Sequence, residues 1–296
     1  MILVFGSINI DLVVPVPLLP RPGETVLGGD YALLPGGKGA NQALAARRAG
    51  ASVMLAGMVG YDAFAELALA NLRRDGVDLG LVWRAARPTG VAAIMVAAEG
   101  EPRGENLIAV ASGANREATA ASVPDAVLGP GTLLVCQMEV PASENWALIR
   151  RARSAGARTV LNLAPAAPID TAMFAAIDIL VANEGEAATL GADPAALARH
   201  LRQALVVTRG GAGSAAFLSD GGRLDIPALA IEPVDTTGAG DTFVGVLAAG
   251  LERGLTLAAA LRRASAAAGL ACLARGAQSA MPDAAAIDAA VARLPG

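Results

Sequence analysis

Among 296 residues there is one lysine, one histidine and two cysteines, and aromatic side chains make up only 3%. Each scarcity removes a class of function. The lone His200, in PAALARHLRQ, reads as a solvated side chain on a surface helix, so no Ser-His-Asp set can be argued from it, and a Cys/His metal set is absent. Cys136 and Cys272 sit in the apolar runs LLVCQM and LACLA without CxxC spacing. They read as buried free thiols of a protein in a reducing cytoplasm. The net charge is only -4 and the arginines are scattered, so nothing points to nucleic acid as a partner. Gly or Pro breaks every apolar run well before the roughly 18 residues that a membrane span needs. The opening MILVFGSINIDLVV has no basic region and no small-residue cleavage site, so it is expected to be a buried strand and not a signal peptide. A role in periplasmic sugar binding is therefore not expected. The strand is followed by GSINID and not by GxGxxG, which argues against a nicotinamide-dependent dehydrogenase. Repeats at a solenoid period are also missing.

What is present is alternation. LLVC (133–136), TVLNLA (159–164), DILVAN (178–183) and ALVVT (204–208) are short apolar runs. Helix-like stretches lie between them: ASENWALIRRARSAG, DTAMFAAI, EGEAATL and PAALARHLRQ. This order predicts βαβ units and a parallel sheet. From Gly240 to Arg293 the pattern is helical, with breaks near Gly254 and Pro282 that predict three helices. The first half differs. INIDLVVPV, ETVLGGDYALL and GVAAIMVAAEGEPRGENLIAVAS alternate or flank a polar turn, which predicts β-hairpins leaving the main sheet as a small flap. The pairs Arg47/Arg48, Arg73/Arg74 and Arg262/Arg263 read as solvated helix faces. A length of 296 residues suits one large domain, or one with a small appendage.

Three stretches carry chemistry. In VDTTGAGDTFVGVLAAGL a glycine-rich turn enters an apolar helix, so the N–H groups of Ala239, Gly240 and Asp241 point at an anion site favoured by the helix dipole. A carboxylate at Asp241 beside such a site suits a proton acceptor for an attacking hydroxyl, although an ordinary helix-start aspartate reads equally well in isolation. PGGKGANQALAARRAGA repeats the design and contains the only lysine, Lys38. It lacks the GK[ST] of a Walker A loop. Its glycines allow close approach of a small polar ligand, and Asn41 can both donate to and accept from sugar hydroxyls. A solvated loop lysine is the plainer alternative. In SINID, Asn9 and Asp11 share one strand face, where they either meet a polar ligand or turn to solvent.

GGKGANQALAARRAGA and DTTGAGDTFVGVLAAGL together resemble the two signature segments of the ribokinase family of carbohydrate kinases. The resemblance runs along the whole chain through GSINID, RPGETVLGGDY, QMEVP, NEGE, TRGGAG and GAQSAMP. It implies a three-layer α/β/α sandwich with a mostly parallel central sheet and a small β lid. The core would comprise residues 1–9, 35–86 and 112–296, and the lid 10–34 and 87–111. It implies an ATP-dependent kinase acting on the primary hydroxyl of a sugar, with D-ribose first. Another pentose, a ketohexose or a nucleoside is the alternative substrate within the family, and the scarcity of aromatics weighs against a nucleobase pocket. A non-catalytic sugar-binding homologue is the alternative outside catalysis, against which the intact GAGD and NEGE argue.

The resemblance also assigns roles. Asp241 would be the catalytic base, with Gly238, Ala239 and Gly240 as an anion hole. The sugar would meet Asn9, Asp11, Gly37, Lys38, Gly39, Ala40, Asn41 and Glu139. ATP would meet Asn183, Thr208, Arg209, Gly210, Gly211, Ala212, Gly213 and Gly240. Glu186 of NEGE would serve Mg²⁺ through water. Asp235, Thr237, Ala271, Ala274 and Gly276 would hold K⁺, but GAQSA stands where the family often has GAQPS, so Ala280 removes a serine hydroxyl there. A homodimer formed through the lid is expected.

Overall fold

A computed structural model of the chain describes residues 1–97 and 105–295. The strands, in chain order, are β1 (Ile2–Phe5), β2 (Asn9–Val16), β3 (Ala32–Gly36), β4 (Val53–Val59), β5 (Asp78–Arg84), β6 (Gly90–Ala97), β7 (Asn106–Ala111), β8 (Leu133–Gln137), β9 (Arg158–Asn162), β10 (Ile179–Asn183), β11 (Ala204–Thr208), β12 (Ser214–Leu218) and β13 (Arg223–Ile226). The helices are α1 (Lys38–Arg48), α2 (Ala63–Arg74), α3 (Ala142–Ser154), α4 (Glu184–Ala188), α5 (Pro194–Ala198), α6 (Ala239–Glu252), α7 (Leu257–Ala271), α8 (Ala277–Ala280) and α9 (Ala284–Val291).

Strand β1 is buried along its whole length because both faces of its sheet are covered. Ile2 and Val4 face a core shared with α1, α2, α6 and α7, while Leu3 and Phe5 face one shared with α3, α4 and α5. The same split divides Leu133 and Val135 from Leu134 and Cys136 on β8. The sheet has nine strands in the order β13-β12-β11-β10-β9-β8-β1-β4-β5, parallel except for the antiparallel pairs that β12 makes with β11 and β13. The result is the expected three-layer sandwich. Helix α3 shows the packing logic: Leu148, Ile149 and Ala152 recur at helical spacing and are buried. Truncating Leu148 to Ala would cost roughly 2–5 kcal/mol.

A second sheet of four strands, ordered β3-β2-β6-β7, stands apart from the first. Strands β2 and β3 pair antiparallel, as do β6 and β7, and the two hairpins join through the parallel pair β2–β6. Both predicted hairpins are therefore present, and the polar turn expected between β6 and β7, at 98–104, lies outside the described residues. ETVLGGDYALL is not a strand throughout: only its end, from Ala32, joins β3, and residues 24–31 form none. Gly28 lies against the Pro15 carbonyl, too close for a side chain, and the Gly29 N–H donates to the same carbonyl at 2.9 Å, so this segment touches β2 without forming a strand on it.

Other differences have local causes. The C-terminal region holds four helices, because a break at 272–276 detaches α8 from α7. DTAMFAAI forms a 3₁₀ turn over Thr171–Ala176, capped by the Asp170 side chain. Two of the arginine pairs are not solvated faces. Arg48 donates to the carbonyls of Gln278 and Met281 and to Asp75, Arg47 donates to the carbonyls of Asp75 and Ala51, and Arg263 is buried beside Asp288. His200 is exposed, and both cysteines are buried and free.

Candidate active site

In an open parallel sheet the carboxyl ends of the strands leave backbone and side chains free to meet a ligand. Here Gln137 ends β8, Asn162 ends β9, Asn183 ends β10 and Thr208 ends β11, and Ser7 follows β1 on the same side. Over these ends sit the N-termini of α1 and α6.

Helix α6 begins after Gly238, whose φ of 76° is a left-handed conformation that glycine adopts without strain. This turn leaves the Gly240 N–H with no partner among the described residues, while the Ala239 N–H is engaged by the Thr236 carbonyl. Asp241 follows in the first turn, where the dipole favours an anion. Four residues on, Gly245 lies on the same helix face. A Cβ there would sit 2.5 Å from the Gln42 carbonyl oxygen and 2.9 Å from the Ala46 nitrogen, so only glycine lets α1 come this near. That approach places two amides of α1 on the carboxylate. Asn41 Nδ2 donates to Asp241 Oδ2 at 3.0 Å, and Gln42 Nε2 donates to Oδ1 at 2.9 Å. Asp241 is only 8% exposed, and these bonds offset the loss of water.

Lys38 opens α1. Its side chain shares a small cleft of about 140 Å³ with Asn183, Glu186, Thr208, Gly238, Gly240 and Asp241. The charge of Asp241 is the largest influence on its ammonium, opposed by burial and reinforced by Glu139, Glu186 and Asp11, and the sum raises its pKa. Lys38 therefore stays protonated in a site lined by carboxylates. Burial raises Glu186 as well, and its Oε2 accepts the Asn183 N–H while Asn183 Oδ1 accepts the Glu186 N–H. This reciprocal capping box fixes NEGE as the start of α4 and turns Glu186 toward the cleft.

A second cleft, of about 470 Å³, is lined by Asn9, Asn115, Arg116, Met138 and Glu139, with Val110 from β7. Asn115 orients Asn9 by donating from Nδ2 to Asn9 Oδ1 at 2.7 Å, so the Asn9 amide group is left to donate. Glu139 Oε2 accepts from Ser7 Oγ at 2.5 Å and from the Lys38 N–H at 3.1 Å. Asp11 packs over Gly36, and burial, helped by Glu139 and Asp241 and opposed by Lys38, pushes it up to about 6.

The predicted residues thus fall into four groups. Asn9, Asp11, Lys38, Asn41, Glu139, Asn183, Glu186, Thr208, Gly238, Gly240 and Asp241 line the two clefts or act on groups that do. Gly37, Gly39 and Ala40 are buried, and the N–H groups of Gly39 and Ala40 are engaged by Ser7 Oγ and the Ser7 carbonyl. Arg209 turns to Asp225 at 3.2 Å, and Gly210, Gly211 and Ala212 form an exposed 3₁₀ turn before Gly213. Asp235 draws the suggested potassium loop together: its Oδ1 accepts from the Thr237 N–H and hydroxyl, and its Oδ2 from the Gly276 N–H at 2.8 Å. These bonds outweigh burial and hold its pKa below the usual carboxylate value. Ala280 ends α8.

Several residues at the site were not anticipated: Ser7, Gln42, Asn115, Gln137, Asn162 and Gln278. All are buried polar side chains. Ser7, Gln42 and Gln278 lay within quoted motifs, and an amide inside an otherwise apolar helix was the available signal.

Comparison with known proteins agrees with this geometry. The pattern of the pfkB family carbohydrate kinases matches residues 1–284. The chain is 37% identical to a ribokinase of Bacillus subtilis over 95% of its length and 96% of that protein's. It is 36% identical to a ribokinase of Lactococcus lactis over 94% and 93%. The structure of Arabidopsis thaliana ribokinase complexed with ribose and ATP superposes with a TM-score of 0.86 and 30% identity over 98% of both chains. With a family pattern spanning nearly the whole sequence and relatives of this identity and coverage, the chain belongs to the pfkB family of carbohydrate kinases.

Proposed function

We propose that the chain transfers the γ-phosphoryl group of ATP to the primary hydroxyl of D-ribose, giving ribose 5-phosphate. The observation that carries this reading is the buried Asp241 carboxylate, placed beside the unpartnered Gly240 N–H in a polar cleft. The ribokinases to which the chain is similar supply the substrate.

In this reading ribose enters the larger cleft. Asn9 donates to it, and Asp11 and Glu139 accept its hydroxyls. The hydroxyl to be phosphorylated points at Asp241, which takes its proton as the oxygen attacks. ATP lies along the ends of β10 and β11, with Asn183, the 208–213 loop and the N-terminus of α6 around its phosphates. The Gly240 N–H and the Lys38 ammonium stand where negative charge develops on the transferred group. The four-stranded sheet acts as a lid, and Val110 on β7 already forms part of the cleft wall. Its closure would exclude water from the phosphoryl group.

Mg²⁺ fits this site through water and phosphate. No group of three metal-binding side chains occurs among the described residues, yet Glu186 presents a half-buried carboxylate to the cleft. Bound there, Mg²⁺ would neutralise phosphate charge. The Asp235 loop offers only oxygen donors, a carboxylate, a hydroxyl and nearby carbonyls of 271–276, which suits K⁺. We further propose a homodimer through the lid. Leu107, Ile108 and Val110 on β7 are 45%, 56% and 50% exposed, and Leu34 on β3 is 38% exposed. A second copy would cover them. No described helix is long and apolar enough to cross a membrane, and the free thiols suit a reducing cytoplasm.

The test is an ADP-release assay with MgATP and D-ribose, 2-deoxyribose, fructose, adenosine or pseudouridine, with and without K⁺. Turnover strongest on ribose is expected. Preference for another acceptor would move the substrate and keep the mechanism, and silence on all five would defeat the reading.

A further inference from the structure

The bonds to Asp241 continue outward through side-chain amides that donate toward the carboxylate. On Oδ2, Asn41 Nδ2 donates to the carboxylate. Asn41 Oδ1 in turn accepts from Gln278 Nε2 at 3.1 Å, and Gln278 Oε1 accepts from Asn71 Nδ2 at 3.0 Å. On Oδ1, Gln42 Nε2 donates to the carboxylate and also to Asn162 Oδ1 at 3.1 Å. Gln42 Oε1 accepts from Gln137 Nε2 at 2.8 Å. Asn41, Gln42, Gln137 and Gln278 are buried, and Asn71 is half-buried. Asn41, Gln42 and Gln278 each have the oxygen filled from behind, and the N–H₂ groups of Asn41 and Gln42 are left to face Asp241; the Gln137 oxygen, at the outer end of its chain, has no hydrogen-bond partner among the described residues. A carboxylate can only accept, so the direction of both chains is set by their end. Aligned amides of this kind polarise one another.

We infer that Gln42 and Gln278 are positioning residues: two chains of side-chain amides, Asn71–Gln278–Asn41 and Gln137–Gln42, end on the two oxygens of Asp241 and fix the rotation of its carboxylate. The inference rests on the proposed role of Asp241 as base. Neither glutamine lines the clefts, so neither touches substrate. Their effect lies in aim. With each oxygen pinned from the protein side, the remaining lone pairs point at the cleft that holds Lys38 and Gly240. Without Gln278, the Asn41 amide loses what determines its orientation and can turn its oxygen to the base. The Asn71–Gln278–Asn41 arm is also anchored mechanically, since Arg48 of α1 donates to the Gln278 carbonyl at 2.5 Å. Asn41 and Gln278 thus stay in register as α1 and α8 move together.

The test is steady-state kinetics of Gln42→Met and Gln278→Met, which keep side-chain length and remove the amide. A misplacement of about 1 Å costs on the order of 100-fold in rate, so kcat is expected to fall roughly 10- to 100-fold. KM for ribose and for ATP should stay within about threefold, since only aim in the transition state is lost. Unchanged kcat in a folded variant, or kcat and KM moving together with a lost Tm, would overturn the inference. If either variant fails to fold, Asn71→Leu at the half-buried end removes only the first donor. It is expected to lower kcat a few-fold at constant KM, and full activity would count against the arm. Should wild-type protein turn over no acceptor, the reaction reading fails by itself. The arms are then read from side-chain amide resonances of ¹⁵N-labelled protein. Asp241→Asn is expected to shift those of Gln42 and Gln278, and an unshifted spectrum would overturn the inference.

Discussion

Two helices start the same way and do opposite things. Both α1 and α6 follow a glycine-rich turn and have a glycine N-cap without a side-chain bond. Helix α6 places a carboxylate, Asp241, in its first turn, where the dipole welcomes an anion. Helix α1 places an ammonium, Lys38, at its first position, where the dipole opposes a cation. The opposition is outweighed by Asp241, Glu139, Glu186 and Asp11, which together raise the Lys38 pKa. The helix that obeys the local rule supplies the carboxylate proposed as base. The helix that breaks it supplies the cation and the amides that hold that carboxylate. A broken local rule with a compensating partner nearby is what a functional site looks like from the sequence upward.

The contrast can be broken most severely at α6. Asp241→Asn keeps shape and removes the proposed proton acceptor, and turnover is expected to fall by roughly 10²–10⁴-fold with the fold intact by circular dichroism. At α1, Lys38→Met is expected to lower kcat by about 100-fold, as for loss of one charge-stabilising donor. Lys38→Arg restores charge but brings a broad planar group into a 140 Å³ cleft, and is expected to recover only part of the rate. Full activity of Lys38→Arg would mean that charge alone matters. Gly245→Ala separates the two helices. It should cost roughly 1–3 kcal/mol by overpacking and lower kcat about tenfold, read from a urea titration and from kinetics on one preparation.

The smallest effect concerns Asp11. Its folded pKa of about 6 lies above the ordinary 3.8, so the folded chain takes up this proton more readily than the unfolded chain. The stabilisation from that proton is full below about 3.8 and is lost as pH rises through about 6. The charged form, proposed to accept sugar hydroxyls, appears over the same window. KM for ribose is therefore expected to rise several-fold as pH falls below about 6, while Asp11→Asn removes that dependence and keeps KM high. At pH 8 the same variant should be more stable by on the order of 2 kcal/mol, since a charge no longer has to be buried. A Tm at pH 8 below that of the wild type would refute this account.

Much of the architecture was legible because its causes are local. Runs such as LLVC and ALVVT are apolar on both faces, so a covered parallel sheet followed. The hairpins of the second sheet followed from alternation around polar turns. What escaped depended on contacts distant in sequence. Nothing within ETVLGGDYALL says that residues 24–31 form no strand beside β2. The break at 272–276 is not marked by proline; Asp235, some 40 residues earlier, holds Gly276 there. At the site, Asp241 and Lys38 were legible from glycine-rich turns that enter helices. Gln42 and Gln278 were visible as letters, but their meaning lies in each other: 199 residues separate Gln42 from Asp241, and 237 separate Gln278 from Asn41. Arg48 looked like one half of a solvated pair because its partners, the Gln278 and Met281 carbonyls, are equally remote.

Lys38 has one more consequence. The chain carries one side-chain primary amine, and it lies inside the smaller cleft beside Asp241. The outer surface writes all its side-chain positive charge as guanidinium. Amine-directed chemistry, whether an acylating label, an aldehyde cross-linker or a resin for immobilisation, therefore finds no lysine on the outside of this protein. A label on that amine reports on cleft occupancy alone, and a single substitution makes the chain free of lysine.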